Sequence, residues 1–166
     1  MPTDTTDPHE IGPDLLPTPF SAEEIRAGCP AGRTIRLRVE SAGSPDVVRT
    51  SRFVRVDAVG ADFEQATYTL DGEQLGETRS GWSSWRELQE HAAFPAATTV
   101  VDDVELALPF GVVRCRLYTM TDGASVHRFW FAAAHPGMPV SYSTEESGTV
   151  TSRVTMEADS LASNPG

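Results

Sequence analysis

Apolar and polar residues alternate through most of this chain, and the alternation predicts strands. In residues 34–41, Ile35, Leu37 and Val39 alternate with Arg36, Arg38 and Glu40. That period of two gives one apolar face and one wet face. Residues 49–59 repeat it, with Val54, Val56 and Ala58 on one side. A third strand starts at Asp62 and breaks at Asp71-Gly72. This dipeptide marks a hairpin, so residues 73–79 are expected to pair back. After a strand over 98–111, four more close the chain as an antiparallel meander: 112–120, 125–133, 139–144 and 149–158. Their turns are predicted at 121–123, 135–138 and 145–148.

Two stretches leave this rhythm. Ser21 and Glu24 have the spacing of a capping box, and Phe20 and Ile25 stand where a hydrophobic staple would form. Gly28 reads as the residue after the helix, with Pro30 as its stop. Ser84 and Glu87 repeat the capping spacing ahead of a face made by Trp85, Leu88 and Ala92, and Pro95 ends it. The pattern predicts short helices at about 21–27 and 85–93. The fold class is mainly β: a single curved antiparallel sheet or open half-barrel of about seven or eight strands, with a helix covering its open side. Residues 1–19, rich in Pro, Thr and Asp, read as a disordered acidic tail. Residues 20–158 form one β-rich domain, and 159–166 a frayed C-terminal tail.

Composition removes several classes of function. The chain of 166 residues carries a formal net charge of -11, and all of its basic residues are arginine apart from four histidines. So acidic a chain repels phosphate backbones, which argues against nucleic acid and anionic membranes as partners. No apolar run is long enough to insert in a membrane. The first residues show neither the basic nor the apolar region of a signal peptide, so the chain as written reads as cytoplasmic; a truncated or mature N-terminus would mean export. Arg33, Arg36, Arg38, Arg49, Arg52 and Arg55 fall on two adjacent segments. Their alternation reads as the solvated side of a sheet.

The candidate chemistry is sparse. Cys29 and Cys115 have no zinc-binding spacing and read as free thiols. His127 and His135 would need Asp102, Asp103 or Glu145 to hold a metal, and no ligand motif joins them. Asp102-Asp103 and Glu145-Glu146 are neighbours in extended chain, so each pair points to opposite sides. A hairpin turning at 121–123 would put Leu117 near residues 125–127 and Cys115 opposite 128–130, leaving Cys115 and His127 diagonal at best. No catalytic residue, metal or cofactor is expected. His135 is read as a turn residue and His127 as an exposed strand residue.

The aromatic residues are more informative. Phe129, Trp130 and Phe131 make both sides of strand 126–132 aromatic. One side must therefore face something other than water: the second helix, a ligand or a partner. With the first two of its tryptophans at Trp82 and Trp85, the chain offers Trp85, Leu88, Trp130 and Tyr142 as the lining of a ligand site on the concave side.

Residues 107–151 also carry a sequence of turns and strands: Pro109 and Gly111, Cys115, Phe129-Trp130-Phe131, Gly137 and Pro139, then Gly148. This pattern resembles the LolA/LppX-like half-barrel envelope proteins and their uncharacterised relatives. The resemblance implies a half-barrel whose concave apolar face holds a lipid or another small hydrophobic molecule. It brings no catalytic motif. The expected function is thus a non-enzymatic binding domain. A protein-interaction or self-assembly module, such as a homodimer through a strand edge, is the alternative. An enzyme built on the histidines and acidic pairs is the third.

Overall fold

The structure, a computed structural model, describes residues 7–160. Nine strands form one antiparallel sheet. They are β1 (Thr34–Ser41), β2 (Ser44–Val56), β3 (Gly60–Thr69), β4 (Gln74–Ser84), β5 (Thr99–Leu108), β6 (Gly111–Asp122), β7 (Ser125–Phe131), β8 (Ser141–Glu146) and β9 (Thr149–Asp159). The order across the sheet is β4-β3-β2-β1-β9-β8-β7-β6-β5. Two meanders, β1 to β4 and β5 to β9, therefore join where the first strand pairs with the last. The connection from β4 to β5 runs from one edge of the sheet to the other. It contains α2 (Trp85–Glu90) and a single 3₁₀ turn, and α1 (Ala22–Gly28) precedes β1.

The sheet has one strand more than the highest count expected from the alternation. The Asp71-Gly72 turn does fold, with Gly72 at φ 93°, and the returning strand runs on to Ser84. Most of β4 is exposed on both faces at the sheet edge. A strand with no buried face has no reason to alternate, so its length was not written in the pattern. Bulges interrupt the pairing at Arg36/Leu37, Val39/Ser41, Phe53/Arg55, Gln65/Thr67 and Thr144/Glu145. Each bends its strand and adds twist, and the sheet curls until β5 also comes near β9.

Both helices start where predicted. Ser21 accepts from the Glu24 N–H and Glu24 returns a bond to the Ser21 N–H, completing the capping box. Ser84 caps α2 by accepting from the Glu87 N–H at 3.0 Å. α2 is shorter than expected, ending at Glu90 rather than 93. Gly28 is the last residue of α1 and not the residue after it. Its role is steric: a Cβ there would lie 2.1 Å from Cγ of Pro136, so glycine lets the helix end touch the 133–139 loop. Ile25 and Trp85 bring the helices onto the sheet face that carries Ile35, Leu37, Phe53, Val154 and Met156.

A buried ion network ties these parts together. Arg33 was expected on the solvated side of the sheet, but it precedes β1 and its side chain is fully buried, as is that of Asp159. The guanidinium donates from Nε to Asp159 Oδ1 at 3.1 Å and from Nη2 to Oδ2 at 2.6 Å. Its Nη1 donates to the carbonyls of Gly28 (3.1 Å) and Pro136 (2.6 Å). His135 Nδ1 also meets Asp159 Oδ2, at 2.8 Å, while the ring of Phe110 lies beside it. His135 therefore stands in the turn segment, as expected, but as a buried clamp residue. Asp159, placed by the sequence pattern at the start of a frayed tail, ends β9 in the interior. The pairing explains the burial: neither charge could leave water without the other.

Removing one partner strands the other charge. Asp159→Asn is expected to cost about 3–5 kcal/mol of unfolding free energy, and replacing Arg33 by Met together with Asp159 by Leu to cost less. Equilibrium urea denaturation of the single and double variants measures both.

Candidate functional site

The four residues selected from the sequence all join the main core, but Tyr142 pairs with and stacks on Phe129, which puts it on the opposite face of the sheet from Trp130. Trp85 is buried in the main core cluster, and Leu88, Trp130 and Tyr142 pack against it. Trp85 is only 3% exposed, and its indole N–H donates to the Asp57 carbonyl at 2.8 Å. Both faces of β7 are covered. Phe129 and Phe131 stack with Phe94 and Tyr118 in a second cluster, whereas Trp130 packs against the first. Phe94, just beyond α2, thus supplies the cover that the doubly aromatic strand required.

A larger opening lies elsewhere. A cleft of about 920 Å³ separates the N-terminal segment from the β5–β6 hairpin, and none of those four residues lines it. Phe20, Phe131, Val104 and Cys115 provide its apolar surface, with Phe20 and Phe131 edge to face at 6.3 Å. Asp103 and Glu105 of β5 and Arg114 and Arg116 of β6 line one side. Asp7, His9, Thr18 and Glu24 line the other. A shallower cleft of about 270 Å³ sits at the β1–β2 and β8–β9 ends.

The wall on the N-terminal side is a strap that sequence patterning had assigned to a disordered tail. Its residues from 7 onward pack on the helices instead. Leu15 bridges to Pro95, and the Leu16 N–H donates to the Phe94 carbonyl at 2.9 Å. The loop closes on itself where the Thr18 N–H donates to the His9 carbonyl at 2.8 Å. Gln89 of α2 is the node beneath it. This amide is 2% exposed. Its oxygen accepts from the Ala22 N–H (3.0 Å), and its nitrogen donates to the Pro8 carbonyl (2.8 Å) and Thr18 Oγ1 (2.9 Å). One side chain so satisfies an orphan N–H in the first turn of α1 and holds the strap.

His9 adds an ionic tie. Its Nδ1 lies 2.9 Å from Asp7 Oδ1, and its Nε2 meets Glu24 of α1. The hydrogen bond to Asp7 raises the imidazole above its ordinary value, with Glu24 adding to the effect against a smaller cost of burial. The Ser21 N–H, and then His9, hold the Glu24 carboxyl below its usual range. The sequence held one signal for this packing, the Leu15-Leu16 pair within the Pro/Asp-rich stretch. Nothing marked Gln89, a polar residue on a helix face.

The residues weighed for catalysis stay apart. The β6–β7 hairpin turns on Gly123-Ala124, with Gly123 at φ 60°, so Leu117 pairs with Trp130 and Met120 with His127. A two-residue turn starting with glycine fits strand twist better than the three-residue turn expected, and it moves the register by three positions. Cys115 then lies five positions along β6 from the residue opposite His127, about 16 Å in extended chain. Burial pushes the Cys115 thiol up, and likewise that of Cys29. Both remain free thiols. Among the described residues, no group of three His, Cys, Asp or Glu is placed to hold a metal, and no helix is long and apolar enough to cross a membrane.

In sequence, no family model and no curated protein matches this chain. Several solved structures share its fold, among them the following two. A Bacteroides fragilis protein named as exported, with a YmcC-like fold, superposes with a TM-score of 0.51 at 8% identity, over 79% of this chain and 96% of its own. MucB superposes with a TM-score of 0.55 at 13% identity, over 87% of this chain and 58% of its own, so the present chain spans little more than half of MucB. At such identities the likeness concerns the fold, and it is consistent with the LolA-like resemblance of residues 107–151.

Gln89→Ala is expected to lower stability by roughly 1–3 kcal/mol, because the Ala22 N–H and the Thr18 hydroxyl lose their buried partner. Thermal and urea unfolding would show it, together with faster proteolysis within residues 8–18.

Proposed function

We propose that this chain is a non-enzymatic binding domain that takes a small hydrophobic or lipid-like ligand in the cleft between the N-terminal strap and β5–β6. One observation carries the reading: an opening of about 920 Å³ lined by Phe20, Phe131, Val104 and Cys115, with charges on its walls. That size lies within the range of small-molecule sites. Apolar surface favours an acyl chain or ring, and the charged walls favour a polar end near the mouth. The LolA-like fold of the sheet is compatible with such a role. Trp85 and Leu88 would support the site from below by holding α2.

The test is titration with an environment-sensitive fatty acyl probe, run beside native mass spectrometry of the purified protein. Ala133, an exposed residue on the cleft wall, offers the control. Ala133→Trp is expected to fill the opening and weaken probe binding by about tenfold or more, the equivalent of about 1.4 kcal/mol. Equal binding by the variant, or none by the wild type, would refute the assignment.

The two open sheet edges favour a second reading, self-assembly. β4 and β5 each have one unpaired side. Val100 is 61% exposed on β5, and Leu75 and Trp82 are half exposed on β4. Unprotected edges of this kind pair with other strands. Light scattering should then show a dimer whose population grows with concentration, and a strict monomer would dismiss this reading.

A further inference from the structure

The strap is pinned in two unlike ways. Residues 14–18 are held by neutral groups: the Leu15–Pro95 bridge, the Leu16 bond to Phe94, and the Ala96 N–H donating to the Asp14 carbonyl at 2.9 Å. The arm that precedes them, from Asp7 to His9, has the Gln89–Pro8 bond, the bonds from the Thr18 N–H and hydroxyl to the His9 carbonyl, and, unlike residues 14–18, an ionic tie of His9 to Asp7 and Glu24. Asp7 and His9 of this arm stand on the cleft wall opposite β5 and β6, beside Pro17 and Thr18 of the fixed part. Asp14, the first residue of the neutrally held part, has φ at 63°, in a backbone region that aspartate tolerates better than most residues.

We infer that residues 7–10 form a pH-operated gate on the cleft, latched while protonated His9 bridges Asp7 and Glu24 and released when His9 loses its proton. This rests on the cleft being the binding site, and it adds the regulation of that site. A protonated imidazole donates from both nitrogens, one to each carboxylate. The neutral ring has a single N–H, so one of the two bonds must break. The other side of the latch is then a carboxylate facing a bare ring nitrogen.

The surroundings leave His9 in control. On its own segment it faces Asp7, with Glu10 next in sequence, and on α1 it faces Glu24. Glu23 of α1 is engaged by Arg26. α2 presents only the neutral Gln89. Across the cleft stand Asp103 and Glu105 of β5 and Arg114 and Arg116 of β6, where Arg116 and Asp103 approach each other at 3.9 Å.

The direction follows from the shifts. The His9 value is raised in the fold, so its contribution is complete below the ordinary histidine value of about 6.5 and fades as pH climbs through the raised one. Asp7 and Glu24 are lowered, so their share is complete above the ordinary carboxylate range and is lost only in strong acid. The gate is closed in mildly acidic solution and opens as pH rises above the ordinary histidine value.

Two measurements on the full chain decide the matter. In an NMR pH titration, the His9 ring and the amides of residues 9 and 10 should shift with one shared midpoint above about 6.5, while the amides of residues 15 and 16 stay still. Glu24→Gln should move that midpoint down, and it keeps the capping box because Gln serves there as well as Glu. Independent motion of ring and amides, or a midpoint unchanged in Glu24→Gln, overturns the gate whether or not any ligand binds. In stopped flow, the association rate of the fatty acyl probe should rise severalfold across the same midpoint in the wild type and stay flat in His9→Gln. A wild-type rate that is flat, with binding intact, also overturns the gate. An NMR transition in the absence of probe binding keeps the latch and removes only the cleft as its target.

Discussion

The fold depends on one buried pair of charges. Arg33 and Asp159 are separated by most of the sequence, yet their side chains meet in two hydrogen bonds at the centre of the molecule. They sit at the start of the first strand and the end of the last, which are neighbours in the sheet. The same guanidinium takes up the carbonyl at the end of α1 and the Pro136 carbonyl, and His135 holds the carboxylate from the remaining side. Two meanders, a helix and a loop are fixed relative to one another by groups that cannot be left unpaired out of water.

This constraint sets where a site can be. With its C-terminal end pressed on Pro136 through Gly28, α1 lies across the sheet and fills the face that might otherwise have stayed open, with α2 beside it. The tryptophan, leucine and tyrosine expected to line a ligand site are drawn into that packing. The accessible opening is displaced to the far edge, where the sheet curls at β5 and β6 and only the start of α1 reaches, at Glu24. There the strap supplies the missing wall. Gln89 couples the two regions, since one amide serves the helix end and the strap together.

Much of the scaffold was legible because it is local. Capping residues act within one turn, and a glycine after an aspartate turns a chain wherever it lies. Both helix starts and the Asp71-Gly72 hairpin were predicted from such signals. The alternation in β1 marked Ile35 and Leu37 as interior residues, and both are buried. Cys115 was read as a small core hydrophobe and is buried as well. The errors share another cause. β4 shows no alternation because it buries no face. The β6–β7 register hung on a turn that can form with two residues or three. Arg33, His135 and Gln89 look like surface residues in any local window, since a polar residue is buried only by a partner far off in sequence. The strap reads as a tail because its bonds go to residues 70 or more positions away.

The amino-acid order by itself therefore determined an antiparallel β domain with two capped helices and an acidic composition. Periodicity, caps and turns act over a few residues and need no knowledge of the rest. Only the tertiary structure decided which polar groups are interior, which face of the aromatic strand is covered by Phe94, and where an opening remains. Those outcomes depend on pairing across the whole chain, because burying a charge or an amide is tolerable only where distant residues complete its hydrogen bonds.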